Sequence, residues 1–209
     1  MDMDRDVVPS RTSRGERASM RSWERAARVD LDARMPRIVP FDRTSTYFDG
    51  AVAVYTQTWQ HPWSAGESYF HRYSTGFPGF LGRVALLDGL VVGAGFGMRS
   101  LPGQWWHDTV GGAVGLDHPA LRDAWVLAEL AILEPYRGQG IGSSLHGALL
   151  AAQPCPRTLL STELQNTRAQ RFYRRLGWRS LHPGLAFRPG NPLFVVLGKE
   201  EGRHAHSAV

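Results

Sequence analysis

The sequence predicts an α/β fold, a mixed twisted sheet of about seven strands flanked by helices on both faces. Short apolar runs alternate with stretches of helical periodicity in the order βααβββαβαββ. Asp88-Gly89, set between two apolar runs, is the strongest two-residue hairpin signal in the chain. Trp125 to Leu133, a glycine-rich turn and the helix-patterned Ser143 to Ala152 read as strand, loop and helix N-terminus.

Arg37 to Phe41 reads as the first strand. Thr44 to Gln60 follows as a helix, His61-Pro62 breaks it, and Ser64 to Tyr73 forms a second, aromatic-rich helix. Phe80 to Leu87 and Leu90 to Met98 are the hairpin strands around Asp88-Gly89. Ser100 to Asp123 is a long connection rich in Gly and Trp, and connections of that length usually serve function. Trp125 to Leu133 is the fourth strand, Thr158 to Thr162 the fifth, and a helix beginning near Asn166 is stopped by Gly177. Two last strands end in Leu193 to Leu197.

Residues 1–36 are polar and charged, with a thin apolar stripe at Met20, Trp23, Ala27 and Leu31, and read as a flexible or partly helical appendage. That stripe suits docking on the domain or on a second copy, as in a homodimer. The folded domain is expected over 37–200, with 201–209 as a tail.

At 209 residues, 43% hydrophobic and 21% charged, the chain has the composition of a soluble globular domain able to bury a full core. No apolar run reaches membrane-spanning length and the N-terminus has no signal-peptide pattern, so a cytoplasmic protein without a membrane partner is expected. The net charge of +5 invites a nucleic-acid reading, but basic residues are scattered among 19 acids, and of the 24 basic residues only Lys199 is a lysine. No specific nucleic-acid partner is expected. The densest basic cluster, Arg168, Arg171, Arg174, Arg175 and Arg179, reads as a solvated helix face or as attraction for phosphates. Cys155 is the single cysteine, flanked by Pro154 and Pro156, so it forms no intrachain disulfide and has no local activating group. His61, His107 and His118 are isolated, without metal-ligand spacing, and no metal site is expected.

Arg137-Gly138-Gln139-Gly140-Ile141-Gly142 stands between the fourth strand and the following helix. Unpaired amides at such a helix start converge on an anion, and glycines let the backbone approach it. Taken alone, three glycines in six residues also describe a flexible turn. The run is neither a P-loop, since no Gly-Lys-Ser/Thr follows, nor the G-x-G-x-x-G dinucleotide fingerprint. Downstream, Asn166, Ala169, Phe172, Tyr173, Gly177 and Trp178 follow at helical spacing. The pattern Arg-x-x-Gly-x-Gly, then Asn-x-x-Ala-x-x-Phe-Tyr-x-x-x-Gly-Trp, resembles the GNAT superfamily of acyl-CoA-dependent N-acetyltransferases. The two motifs cover Trp125 to Trp178, and their order and separation are more specific than either alone.

The resemblance implies acetyl-CoA as the cofactor and direct attack by a primary amine of a small-molecule or peptide acceptor. It places Ile132, Leu133 and Glu134 beside the pantetheine arm, where the central parallel strands splay, with a free N–H for the oxyanion. It assigns Arg137, Gly138, Gln139, Gly140, Ile141 and Gly142 to the pyrophosphate, with the three glycines as steric necessities and Ile141 as a core contact. Asn166 is either a cofactor contact or the helix N-cap.

Tyr173 is the candidate general acid toward the departing thiolate, its alternative being a core aromatic beside Phe172. Glu129 lies in an otherwise apolar strand, so its carboxylate must face solvent, a partner or a cleft; it is the candidate base or a paired structural carboxylate. Some family members carry a base on the fifth strand, where this chain has Ser161, a departure that favours Glu129 or a water relay. Trp63, Trp105, Trp106 and His107 are the candidate acceptor wall, with Trp59, Tyr69, Phe70 and Tyr73 as further aromatic neighbours. The competing function is a non-catalytic acyl-CoA-binding or regulatory module on the same fold.

Overall fold

A computed structural model describes residues 35–200 of the protein, so the expectations for residues 1–34 and for the 201–209 tail lie outside the described residues. The strands are β1 (Arg37–Phe41), β2 (Leu81–Leu87), β3 (Leu90–Ser100), β4 (Ala124–Ile132), β5 (Arg157–Glu163), β6 (Arg179–Ala186) and β7 (Leu193–Glu200). The helices are α1 (Phe48–Trp59), α2 (Trp63–Gly76), α3 (Trp105–Val114), α4 (Ile141–Ala152) and α5 (Thr167–Arg175). One sheet runs in the order β1-β2-β3-β4-β5-β7-β6. Every neighbouring pair is antiparallel except β4 and β5. The expected mixed α/β sheet is what forms. No helix among the described residues is long and apolar enough to cross a membrane.

Asp88 and Gly89 both take positive φ, 50° and 80°, which matches the twist of a tight hairpin and sets Leu87 opposite Leu90. Two local expectations are corrected. Helix α1 starts at Phe48 rather than Thr44, because Asp42 Oδ1 accepts from both the amide and the hydroxyl of Thr44 and holds that stretch in a turn. The connection from Ser100 to Asp123 contains the helix α3, whose apolar periodicity is thinned by Gly111 and Gly112; it is fixed by burial of Val110 in a cluster with Leu159 and Val196.

Helices cover both faces. On the front, α1 and α2 bury Val52, Val54 and Phe70 against Val84, Phe96 and Ala131, and α3 covers the sheet beyond them. On the back, Leu145 and Leu149 of α4 and Tyr173 of α5 pack with Trp125, Leu127, Leu160 and Leu197. These buried side chains supply most of the driving force, at about 1.5 to 3 kcal/mol for each large aliphatic or aromatic group.

Two irregularities in β4 build the site. Glu129 pairs with Phe96 but Leu127 pairs with Gly97, so Ala128 is an extra residue, a bulge. The bulge inverts the alternation: Trp125 and Leu127 face the back before it, Leu130 and Ile132 after it. Glu129 is thereby turned to the front, which resolves the paradox of a carboxylate in an apolar strand. The second irregularity is that β4 and β5 pair only at Ala124–Val126 with Arg157–Leu159. Beyond this they diverge, while β3 stays paired along β4 and β7 along β5. The resulting split is lined by unpaired backbone.

Candidate functional site

The glycine turn lies where β4 hands over to α4. Gly138 and Gly140 both sit at φ +82°, a region that L side chains rarely enter, and a Cβ at either would meet only open space. Backbone conformation, not crowding within the protein, is therefore what requires them. Gly142 corrects the expectation of a third steric glycine: its φ is ordinary, and a Cβ would rest 3.8 Å from Ile132 and Phe172 in normal contact. Within this turn and the start of α4, Ser143 and Ser144 donate to Gly140 O, whereas the backbone amides of residues 138 to 142 have no acceptor among the described residues. Ile141 is buried with Ala85 and Val92, as expected of a core contact.

The side chains of the turn are tied back to the strand end. Arg137 Nε donates to Ile132 O at 2.8 Å, and Gln139 Nε2 to Pro135 O at 3.1 Å. Glu134 is exposed in the single 3-10 turn that links β4 to the glycines. Leu133 N donates to Val92 O at 3.0 Å, so among the three residues at the strand end it is not the one with a free N–H. That bond makes Ile132 and Gly93 a wide pair, so the N–H and C=O of Ile132 point away from β3 into the split. The free N–H is the one on Ile132.

Glu129 is the charged group at the front lip. Its Oε1 accepts from Trp59 Nε1 at 3.1 Å and from Leu130 N at 3.1 Å. Burial pushes its carboxyl up from 4.5 to about 7, against the lowering effect of those two hydrogen bonds. Its field, after the larger effect of burial, helps raise Tyr55 to about 12 and Tyr69 well above the ordinary range. Tyr55, Tyr69 and Tyr73 form a continuous aromatic run on this face, with centroids 4.9 and 4.7 Å apart.

Tyr173 approaches from the back. The residue is 8% exposed, and its ring packs on Trp178, Phe172 and His146. Its hydroxyl has no protein partner among the described residues and is not among the atoms sealed from solvent. Burial, with Glu129 second, raises its phenol far above 10, so it stays protonated. His146 Nε2 accepts from Trp178 Nε1 at 3.0 Å, and burial, with the Lys199 charge second, lowers its pKa to about 4. The imidazole is thus held neutral behind Tyr173.

Asn166 Oδ1 accepts from Ala169 N at 3.0 Å: the N-cap alternative is the one its oxygen adopts. Of the expected acceptor wall, Trp106 Nε1 donates to Ser161 Oγ at 3.1 Å, just beyond the part of β5 that pairs with β4, and Trp105 packs tilted against Phe187 with Arg188 over its ring. Trp63 stands exposed at the start of α2. His107 is corrected: it is 5% exposed and shares a 2.9 Å hydrogen bond with Ser100 Oγ, so it belongs to the core. Phe70 is likewise wholly buried. Sequence reasoning missed Tyr55, His146 and the indole contact to Glu129; only helical spacing, Tyr55 with Trp59, hinted at any of them.

Residues 84–180 match the family model for the acetyltransferase (GNAT) domain. Over this segment the chain is similar to the GNAT acetyltransferase domain. The matched segment runs from β2 through β6 and contains the bulge, the split, the glycine turn and Tyr173. A GCN5-like protein acetyltransferase from Mycobacterium tuberculosis is 36% identical over 121 residues, which is 52% of this chain and 58% of that protein; the chain thus spans a little over half the length of this relative. The GNAT fold recurs in the ribosomal-protein-S18-alanine N-acetyltransferase from Escherichia coli, with TM-score 0.59 at 16% identity over 84% of this chain and 99% of that one. It recurs too in an aminoglycoside 6'-N-acetyltransferase complexed with coenzyme A, with TM-score 0.57 at 16% identity over 78% and 96% of the two chains.

Proposed function

We propose that this protein transfers the acetyl group of acetyl-CoA to a primary amine by direct attack within a ternary complex. The observation that supports the reading is the electrostatic coupling of Glu129 on the front face with Tyr173 on the back, next to the short β4–β5 pairing and a row of unpaired amides.

The donor set of this chain fits coenzyme A. Amides 138 to 142 at the start of a twelve-residue helix, with Arg137 beside them, suit a diphosphate. The free N–H of Ile132, whose carbonyl is held by Arg137 Nε, suits an extended amide-bearing arm lying alongside the strand. Acetyl-CoA supplies the acetyl group as a thioester, whose cleavage leaves a thiolate.

Glu129 takes the proton that an ammonium must lose before it can attack. Oε1 is held by two N–H donors, whereas Oε2 has no partner among the described residues and is the atom we assign to this task. With its carboxyl near 7, Glu129 is about half ionised at neutral pH and basic enough to take a proton. The Ile132 N–H, turned into the split, is the donor assigned to the developing oxyanion. Tyr173 Oη–H donates to the departing sulfur; its raised pKa keeps the proton in place for that step.

The curated relative's name makes it a protein acetyltransferase, and for this chain we propose an amine on a protein or peptide as the acceptor. Exposed Trp59, Trp63 and Trp105 suit a peptide partner. The test is thiol release from acetyl-CoA across a panel of lysine peptides, free N-terminal peptides and small amines, with the product identified by mass. Turnover with at least one amine is expected. Coenzyme A binding with no turnover for any amine would replace this reading with the non-catalytic module.

A further inference from the structure

We infer that Trp59 is a positioning residue for Glu129: its indole N–H clamps Oε1 and leaves Oε2 as the open face of the carboxylate. The inference rests on Glu129 being the base, and names the group that aims it.

Glu129 follows the Ala128 bulge, a point where the strand has gained a residue. The backbone supplies one donor to Oε1, from Leu130 N at 3.1 Å. A single backbone donor leaves a carboxylate able to swivel. Trp59 Nε1, also 3.1 Å from Oε1, is the second donor and arrives from α1 on the front face. Two donors on one oxygen fix the plane of the group. Oε2 has no partner among the described residues and is not sealed from solvent, so the proton-accepting atom is the one that an incoming amine can reach.

Trp59 is itself held. It is the last residue of α1, and Gln60 follows in the left-handed conformation at φ 55°, closing the helix with its N–H on Thr56 O. The next helix crowds in: a Cβ on Gly66 would lie 2.4 Å from the Thr56 methyl, so glycine is needed for α2 to come this close. This packing spends backbone strain at Gln60 to place an indole that is still 44% exposed. Burial of the ring is only partial, and its N–H contact to Glu129 is a consequence of its position that burial does not account for.

The ionisable groups that face Glu129 are the phenols Tyr55 of α1, Tyr69 and Tyr73 of α2, and Tyr173 of α5. Burial and the Glu129 charge raise Tyr55, Tyr69 and Tyr173, so these stay neutral near pH 7. His61, two residues beyond Trp59 and 5.4 Å from the Tyr55 ring, is a further ionisable neighbour, so the indole response is assigned to Glu129 by its loss in Glu129→Gln.

The first experiment uses the unmodified protein. The Trp59 indole N–H resonance, followed by NMR, is expected to titrate with a midpoint near 7 and to lose that titration in Glu129→Gln. An indole signal that stays flat from pH 5 to 9 would overturn the inference. In Trp59→Phe, checked for folding by circular dichroism, the Glu129 carboxyl signal is expected to titrate about one pH unit higher, since a charged hydrogen bond is lost. An unmoved carboxyl titration in a folded variant would also overturn it. The acid limb of kcat/KM is expected to move with the carboxyl, with KM for acetyl-CoA unchanged. If the carboxyl shifts and the rate limb does not, the Trp59 contact stands and the assignment of Glu129 as base falls.

Discussion

Glu129 lies on the front of the sheet and Tyr173 on the back, yet the two are coupled: after burial, the Glu129 carboxylate helps raise the Tyr173 phenol. The arrangement depends on one extra residue. Without the Ala128 bulge, Glu129 would share the back face with Leu127, in the layer that Tyr173 occupies, and the front lip would have no carboxylate. In the proposed reaction, proton acceptor and proton donor therefore belong to opposite faces of the sheet.

Replacing Tyr173 by Phe should preserve the ring packing on Trp178 and His146 and remove only the hydroxyl. Turnover is expected to fall by roughly tenfold to a thousandfold, with coenzyme A affinity nearly unchanged, because water takes over part of the proton delivery. Steady-state kinetics and calorimetric binding separate the two. Unaltered turnover under conditions where chemistry limits the rate would return Tyr173 to the core.

Glu129→Gln should act on rate and stability in different pH ranges. In the parent protein the rate is expected to rise with pH through about 7 as Glu129 ionises, and the variant should lose that limb. Its defect is largest between about 7 and the pKa of the amine, and shrinks where the amine is free unaided. For stability, a carboxyl raised in the folded state contributes fully below 4.5 and loses that contribution as pH rises to about 7. Denaturant unfolding should therefore show Glu129→Gln gaining on the parent across that window. A constant difference between the two would contradict the raised carboxyl.

His146 carries the opposite sign. Its folded pKa is depressed to about 4 from 6.5, so its contribution is present above 6.5 and is lost as pH falls toward 4. Protonation also costs the acceptor that Trp178 Nε1 uses. Unfolding measured at pH 7.5 and pH 4.5 should show a smaller acid loss in His146→Phe than in the parent. Equal losses would show that His146 is not the group that couples this core to pH.

The glycine turn is tested by ligand protection. At a hundred times its dissociation constant, coenzyme A is expected to stabilise the protein by about 2.7 kcal/mol. Gly140→Asp, with a side chain at φ +82° and a negative charge beside the free amides, should fold less stably and lose this protection. A folded variant still protected by coenzyme A would remove the turn from the cofactor site.

The elements most legible in sequence were those fixed by local chemistry. Asp88-Gly89 set its hairpin, and Gly177 ended α5 with Trp178 N on Tyr173 O. The Arg137 to Gly142 run was legible as a turn between strand and helix, and Gly138 and Gly140 do take the positive φ that requires glycine. Helix α3 was not legible, because its stability comes from burial of Val110 against residues some fifty to ninety positions away. Nor was the direction of Glu129, since a bulge is a property of two paired strands and leaves no mark in one. His107 misled for the same reason: an isolated histidine looks available until its partner, Ser100, is placed beside it.

The most direct measurement is a crystal structure of the protein with coenzyme A. The pyrophosphate is expected on the amides of residues 138 to 142, the pantetheine arm beside the free N–H of Ile132, and the sulfur within hydrogen-bond reach of Tyr173 Oη, with Glu129 Oε2 facing the open side. Coenzyme A bound away from the β4–β5 split, or with its sulfur remote from Tyr173, would contradict the site assigned here.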